Sequence, residues 1–143
     1  MQTNDINKLM ATSTINKTRT YKDLDLTFTK HPVRKDVSFH FDEYAVINSI
    51  KNLVLTNHYE RPFQPEIGSN VRRLLFENVD VVVAAQLERE ISEVIDNFEP
   101  RASVSRVTAV PAPDENGYSI ELEFFLVNNP SPVSINFFLK RVR

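Results

Sequence analysis

The chain has 143 residues, 41% of them hydrophobic and 25% charged, which is the mix of a globular protein long enough for one hydrophobic core. Its net charge of −2 gives no electrostatic reason to expect nucleic acid or an anionic membrane as a partner. The absence of cysteine excludes disulfides and thiolate metal sites, and only two glycines argue against a glycine-rich phosphate-binding loop. The sequence contains no apolar run long enough to span a membrane, and its first residues lack the apolar centre of a secretory signal.

The first 40 residues predict an N-terminal arm. Residues 1–20 are polar, with scattered apolar side chains and no sustained period, which is typical of an extended segment. Three apolar residues then alternate with polar ones as in a β-strand: Leu24, Leu26 and Phe28. His31-Pro32 ends that run. We therefore expect one domain over residues 1–143, with residues 1–40 as the arm and 41–143 as its compact part.

The middle of the chain predicts helices separated by a proline-rich loop. A helix is expected from Asp42, a good N-cap, to just before Asn57, with apolar residues at helical spacing: Val46, Ile50, Leu53 and Val54. Residues 61–68 contain two prolines and cannot form a regular helix. A short helical piece is expected over residues 71–76.

A longer helix is predicted from Asp80 to about Phe98. Asp80 is again a suitable N-cap, and one face is apolar: Val83, Leu87, Ile91, Val94, Ile95 and Phe98. Pro100 stops the helix, because it disfavours helical geometry for the residue before it.

After Pro100 the apolar period changes from 3.6 to 2, which predicts β-strands. The expected strands cover about 104–110, 118–126 and 133–139. Asn116-Gly117 is a strong hairpin signal between the first two, and residues 128–132 form the second turn. The fold class is therefore α+β, with the arm and helices packed on a C-terminal antiparallel three-stranded meander.

Three segments resemble one protein family. They are Arg61-Pro62-Phe63-Gln64-Pro65-Glu66-Ile67-Gly68, Leu75-Phe76-Glu77-Asn78, and Asn97-Phe98-Glu99-Pro100-Arg101 at the end of a helix. In order and spacing the chain resembles the baseplate wedge proteins of T-even-type contractile phages, often labelled lysozyme-like and related to a baseplate component of type VI secretion systems. The resemblance covers about residues 45–140, and the N-terminal part looks longer than in the best-known members.

The resemblance implies a structural protein without catalytic activity. It would link the core of a baseplate wedge to the first sheath ring and template sheath assembly, with a fold like the interlocking domain of tail sheath proteins. The implied partners are other wedge proteins and sheath subunits, in several copies within a six-fold assembly. The implied location is the virion tail, assembled in the host cytoplasm. No cofactor, nucleic acid or membrane is implied.

The resemblance also assigns a docking role to Glu99, Pro100 and Arg101. From the residues alone, Pro100 makes this corner extended, so that Glu99 and Arg101 point to the same side with opposite charges. They either dock onto a neighbouring protein, or Arg101 lies near the helix C-terminus while Glu99 is solvated. If the pair docks onto a partner, we expect Arg101 to face solvent in the isolated chain.

Two further regions are candidate partner contacts. In the proline-stiffened loop, we expect Phe63 to pack onto the core, to join Arg61 and Glu66 in an interface, or to do both. In the last strand, one edge is expected to be unpaired and open to strand addition. Phe138, on the opposite face from the core residues of that strand, has no evident internal partner and is a candidate contact.

The main alternative function is a tail-associated glycoside hydrolase of the lysozyme type. That chemistry needs two carboxyl groups about 5 to 9 Å apart beside a sugar-binding cleft. Only Glu66 and Glu99 have special local settings, and the chain has no Trp to stack on a sugar. We therefore predict no catalytic residue, and no metal site, because the three histidines lack ligand spacing. The basic tail at residues 140–143 is a weak signal for an acidic partner or nucleic acid, and equally suits a protected sheet edge.

Overall fold

The computed structural model describes residues 21–25, 27–127 and 129–142, so the predicted arm over residues 1–20 lies outside the described part. Its elements, in chain order, are β1 (Lys22–Leu24), β2 (Phe39–Phe41), α1 (Glu43–Leu55), α2 (Val71–Leu74), α3 (Val81–Phe98), β3 (Ala102–Ala112), β4 (Gly117–Leu126) and β5 (Asn129–Lys140). None of the helices in these residues is long and apolar enough to cross a membrane.

The strands form two antiparallel sheets. β1 and β2 form a two-stranded sheet, and β3, β4 and β5 form a meander with β4 in the centre. The α+β prediction is thus confirmed. The predicted strand ends at Leu24 and does not reach Phe28, because the Asp25 carboxylate accepts hydrogen bonds from both the backbone N–H and the hydroxyl of Thr27 and turns the chain. Leu26, also predicted in that strand, lies outside the described residues.

The two long helices begin and end close to where the sequence predicts. In α3 the Asp80 carboxylate accepts a 2.8 Å hydrogen bond from the backbone N–H of Val83, as an N-cap does. In α1, Asp42 precedes the helix, but its side chain makes no cap bond within it and instead accepts a 3.3 Å bond from the N–H of Tyr21. Asp42 therefore ties the start of β1 to the start of α1.

The core lies between the helices and one face of the meander. β4 supplies its buried centre, and the helices cover it with their apolar stripes: Tyr118, Ile120, Leu122 and Phe124 from β4, Leu87, Ile91 and Ile95 from α3, and Val46 and Ile50 from α1. Burial of each large apolar side chain contributes about 1.5–3 kcal/mol. The opposite face of β4 carries exposed polar residues, so only one face of the sheet is covered.

The second turn of the meander is shorter than predicted. β5 begins at Asn129, so that Pro130 and Pro132 lie inside the strand, and Pro132 is the register partner of Phe125. A proline fits an edge strand wherever its missing N–H would point away from the neighbouring strand. β5 is such an edge strand.

Candidate partner-binding surfaces

The Glu99-Pro100-Arg101 corner holds an ion-pair network. Arg101 donates from Nε to Glu99 Oε1 at 2.6 Å and from Nη2 to Glu99 Oε2 at 2.8 Å. Its Nη1 donates to Asp23 Oδ2 in β1 at 3.2 Å. The guanidinium also lies 5.6 Å from the centroid of the Tyr21 ring. The corner therefore joins the end of α3 to the N-terminal sheet.

Burial at this corner corrects two expectations. Glu99 is only 3% exposed, so the interpretation that it is solvated is wrong. The side chain of Arg101 is 25% exposed, so the expectation that it faces solvent is also wrong. Arg101 is held against Asp23 of β1, which is distant in sequence, and Glu99 is bound by Arg101 and Ser49. Pro100, between the two, is exposed.

The charges at the corner stabilise one another. Burial by itself raises the pKa of Glu99, but hydrogen bonds from Arg101 and Ser49, together with the charge of Arg101, hold that pKa below its ordinary value. The hydrogen bond to Glu99 outweighs burial and raises the pKa of Arg101. Both groups are ionised at neutral pH, and the carboxylate is in no state to act as a general acid.

The loop between α1 and α2 presents two aromatic rings to solvent. Phe63 is 101% exposed and Tyr59 is 85% exposed. The interpretation that Phe63 packs onto the core is therefore wrong, because its backbone adopts φ 71° and turns the ring outward. Arg61 and Glu66 are exposed on the same loop. The sequence does not predict the exposure of Tyr59. Its backbone adopts φ 66°, and no local sequence pattern indicates a positive φ at this position.

This loop is braced from within. The N–H of Tyr59 donates to the carbonyl of Pro65 at 2.9 Å, and the His58 ring nitrogen Nδ1 lies 3.2 Å from the carbonyl oxygen of Glu66. Gly68 has φ 156°, and a Cβ there would lie 2.6 Å from the backbone of Asn57. Only glycine allows that close approach. The aromatic rings thus stand on a loop with a fixed shape.

Phe138 has an internal neighbour, contrary to expectation. A Cβ placed on Gly117 would lie 2.5 Å from the Phe138 ring, which shows that the ring packs over that glycine on the adjacent strand. Such a ring covers a glycine that would otherwise leave a gap in the sheet. Phe138 remains 42% exposed on the outer face, so part of the ring is accessible.

The two edges of the meander differ. On β3 the outward N–H of Ala109 donates to Glu88 Oε1 of α3 at 2.8 Å, so a helix side chain occupies one donor of that edge. On β5 the N–H of Arg141 pairs with the carbonyl of Asn116, which fixes the alternation of the ladder. The N–H groups of Ser134, Asn136 and Phe138 consequently point away from β4. In the described part of the chain, no backbone–backbone hydrogen bond outside the β4 ladder involves β5.

The two acids singled out for hydrolysis lie in different surroundings. Glu99 is buried and bound by Arg101, whereas Glu66 is exposed on the loop after α1. Of the three histidines, His40 lies 3.4 Å from Asp25. Within residues 21–25, 27–127 and 129–142, no group of three or more His, Asp or Glu side chains is placed to hold a metal.

Comparison with known proteins agrees with this architecture. The model of the family described as baseplate wedge protein gp25 matches residues 42–131. The baseplate wedge protein gp25 of Enterobacteria phage T4 is 31% identical over 118 residues, which cover 82% of this chain and 89% of that protein.

Solved structures show the same fold at lower identity. A crystal structure named "putative tail lysozyme" from Geobacter sulfurreducens has a TM-score of 0.63 and 21% identity, covering 68% of this chain and 89% of that one. The baseplate of the anti-feeding prophage, solved by cryo-EM with six-fold symmetry, contains a chain with a TM-score of 0.59 and 20% identity, covering 86% of this chain and 87% of that one. A chain of the postcontracted pyocin R2 baseplate has a TM-score of 0.57 and 20% identity, covering 74% of this chain and 98% of that one. With the family match and the T4 relative, these findings establish that the chain belongs to the family of baseplate wedge protein gp25.

Proposed function

We propose that this chain is a structural component of a contractile-tail baseplate wedge, which links the wedge core to the first sheath ring and templates sheath assembly. The proposal rests on a difference in hydrogen bonding between the two edges of the meander, β3 and β5. Glu88 of α3 occupies the outward N–H of Ala109 on the β3 edge, whereas β5 presents outward N–H groups at Ser134, Asn136 and Phe138. An edge of this kind accepts a strand from another chain by main-chain hydrogen bonding.

The inner face of β5 fits the same role. Val133 and Phe137 are only partly buried, while Ile135 and Leu139 are fully covered by the core. An added strand, continuing the pleat, would place its own alternate side chains beside this apolar row. A slip of one residue would turn these side chains to water, so the edge disfavours registers that are shifted by one residue.

The braced loop is proposed as a contact with other wedge proteins. Tyr59 and Phe63 are aromatic side chains exposed on a preshaped loop, flanked by Arg61 and Glu66. Aromatic residues and arginine dominate the energetically important positions of interfaces. Because the loop is already braced, little entropy is lost when it binds.

The corner after α3 is proposed as the second wedge contact, with different roles for its members. Glu99 is too buried to touch a partner, so it acts by positioning Arg101. Three of the five N–H groups of Arg101 are used by Glu99 and Asp23, which leaves two without a described acceptor. A carbonyl or carboxylate of a partner protein, placed beside exposed Pro100, would accept hydrogen bonds from these two N–H groups.

We propose that the chain has no catalytic activity and needs no cofactor. A general acid needs a raised pKa, whereas the pKa of Glu99 is lowered, because hydrogen bonds from Arg101 and Ser49 outweigh the effect of burial. Purified protein should not clear peptidoglycan above the buffer level. Lysis that disappears in Glu66→Gln would overturn this part of the proposal.

Proline at position 136 tests the templating role. Asn136 is exposed and its N–H points outward, so Asn136→Pro removes an edge donor without breaking the β4 ladder. We expect completed baseplates that carry few or no sheathed tails, counted by electron microscopy. Asn136→Ala, which removes the side chain but keeps the N–H, is the matched control and should support normal sheaths. Normal sheath yield and length with Asn136→Pro would refute templating through this edge.

A further inference from the structure

A groove of about 350 Å³ lies at the C-terminal end of the β5 edge. It opens between the end of α1, the short helix α2 and the last residues of β5. Its floor is apolar and buried, formed by Val54, Val71 and Leu139, while Leu55 and Phe138 rise beside it as partly exposed walls. The groove is large enough for a bulky apolar side chain.

The rim of this groove carries two cations. Arg72 of α2 and Lys140 of β5 both line it, both are exposed, and neither forms an ion pair with a carboxylate of the described residues. The chain as a whole has a net charge of −2, so this local positive charge runs against the general balance. Two unpaired cations around an apolar floor favour an occupant that brings a carboxylate next to an apolar side chain.

The groove also marks where the open edge ends. After Lys140 the chain remains joined to β4 through the Arg141 N–H, and the Val142 N–H then donates to the carbonyl of Leu75 at 3.0 Å. That bond turns the chain from β5 towards the end of α2. A strand that pairs along β5 therefore meets the groove at the C-terminal end of β5.

We propose that this groove is the register stop of the β5 edge. It takes a large apolar side chain at the end of the added protein strand, with an adjacent carboxylate that pairs with Arg72 and Lys140. The inference rests on the proposed addition of a strand to β5, and adds to it the chemistry of the segment that is selected. Main-chain pairing alone is nearly indifferent to sequence, whereas a filled pocket at a fixed position allows one alignment.

The test compares two neighbouring arginines of α2. Arg72→Glu reverses a charge on the groove, whereas Arg73→Glu makes the same change at an exposed residue that lines a different depression with Gln86 and Arg89. Both purified variants should melt at the wild-type temperature, because both side chains are exposed. Sheathed tails per completed baseplate should fall about tenfold or more with Arg72→Glu, because a like charge now faces the incoming carboxylate. Arg73→Glu should leave them unchanged.

A second variant tests the apolar part of the groove. Leu55→Ser lowers one wall without changing charge, and it too should reduce the number of sheathed tails per baseplate. A carboxylate-to-lysine change in the sheath subunit that restores assembly on Arg72→Glu baseplates would identify the paired residue and support the proposal.

Three outcomes separate this proposal from the one on which it rests. If Asn136→Pro blocks sheathing while Arg72→Glu and Leu55→Ser do not, strand addition stands and the register stop is wrong. If none of the three affects sheathing, both proposals are wrong. If Arg72→Glu prevents completion of the baseplate itself, the groove holds a wedge protein instead of the added strand, and the register stop is again wrong.

Discussion

Removing the Arg101 side chain should destabilise the isolated protein strongly. In Arg101→Ala, the Glu99 carboxylate, only 3% exposed in the wild type, would lose both its cation and its two guanidinium hydrogen bonds. It can relieve that burial by taking up a proton. At pH 7 this protonation costs about 3.7 kcal/mol, because the ordinary pKa of glutamate is about 4.3 and each unit corresponds to about 1.4 kcal/mol. The value falls within the about 3–5 kcal/mol typical of a broken buried ion pair.

The loss should depend on pH with a definite sign. In the wild type, hydrogen bonds from Arg101 and Ser49 outweigh burial and lower the pKa of Glu99. The stability that Glu99 contributes is therefore present above its ordinary pKa and lost only as the pH falls through the lower folded value. In the variant the proton is taken up more easily as the pH falls, so the difference between the two proteins should shrink to about 1 kcal/mol at pH 5.

Urea unfolding at pH 7 and pH 5 measures this difference directly. Arg106→Ala, which removes an exposed arginine on β3, is the matched control and should change the free energy of unfolding by less than about 0.5 kcal/mol. Adding Glu99→Gln to Arg101→Ala should recover much of the loss at pH 7, because no buried charge remains. A loss below about 0.5 kcal/mol, or an equal loss at both pH values, would refute the reasoning.

Two other predictions concern the loop and the sheet. The double variant Tyr59→Ser/Phe63→Ser should have a melting temperature within a few degrees of wild type, because both rings are in solvent. Baseplates assembled with this variant should nevertheless lack the protein when they are analysed by gel, and normal incorporation would show that the loop is not part of the interface. Gly117→Ala should lower the free energy of unfolding, measured by thermal unfolding, by about 1–3 kcal/mol. The reason is that the new Cβ would lie 2.4 Å from the Leu139 carbonyl oxygen and 2.5 Å from the Phe138 ring. A wild-type stability would mean that the strands separate there at no cost.

The helices and the meander are predictable because their signals are local. The apolar period of α3 and the alternation along β4 each extend over ten or more residues and record which side faces the core. Asp80 and Pro100 mark the limits of α3 for reasons confined to a few neighbouring atoms. The same reasoning succeeded for Asn116-Gly117, where the hairpin turn lies as expected.

The candidate surfaces are less predictable because they depend on contacts between distant residues. Arg101 is half-buried and donates a hydrogen bond to Asp23, which lies 78 positions earlier in the chain. Phe138 covers Gly117 only because the register of β4 and β5 brings them together. The outward direction of Phe63 follows from a positive φ in a loop held by hydrogen bonds between its two ends. The roles of these residues in binding, and the division of the chain at residue 40, stay predictions.

Amide hydrogen exchange along β5 tests the central claim most directly. In the isolated protein, the outward N–H groups of Ser134, Asn136 and Phe138 should exchange rapidly, while those of Ile135 and Phe137, bonded to β4, should be protected. In sheathed tails all five should be protected, because a strand of the sheath subunit then pairs with the open edge. If the three outward amides exchange as rapidly in sheathed tails as in the isolated protein, no strand adds to β5 and the account is contradicted.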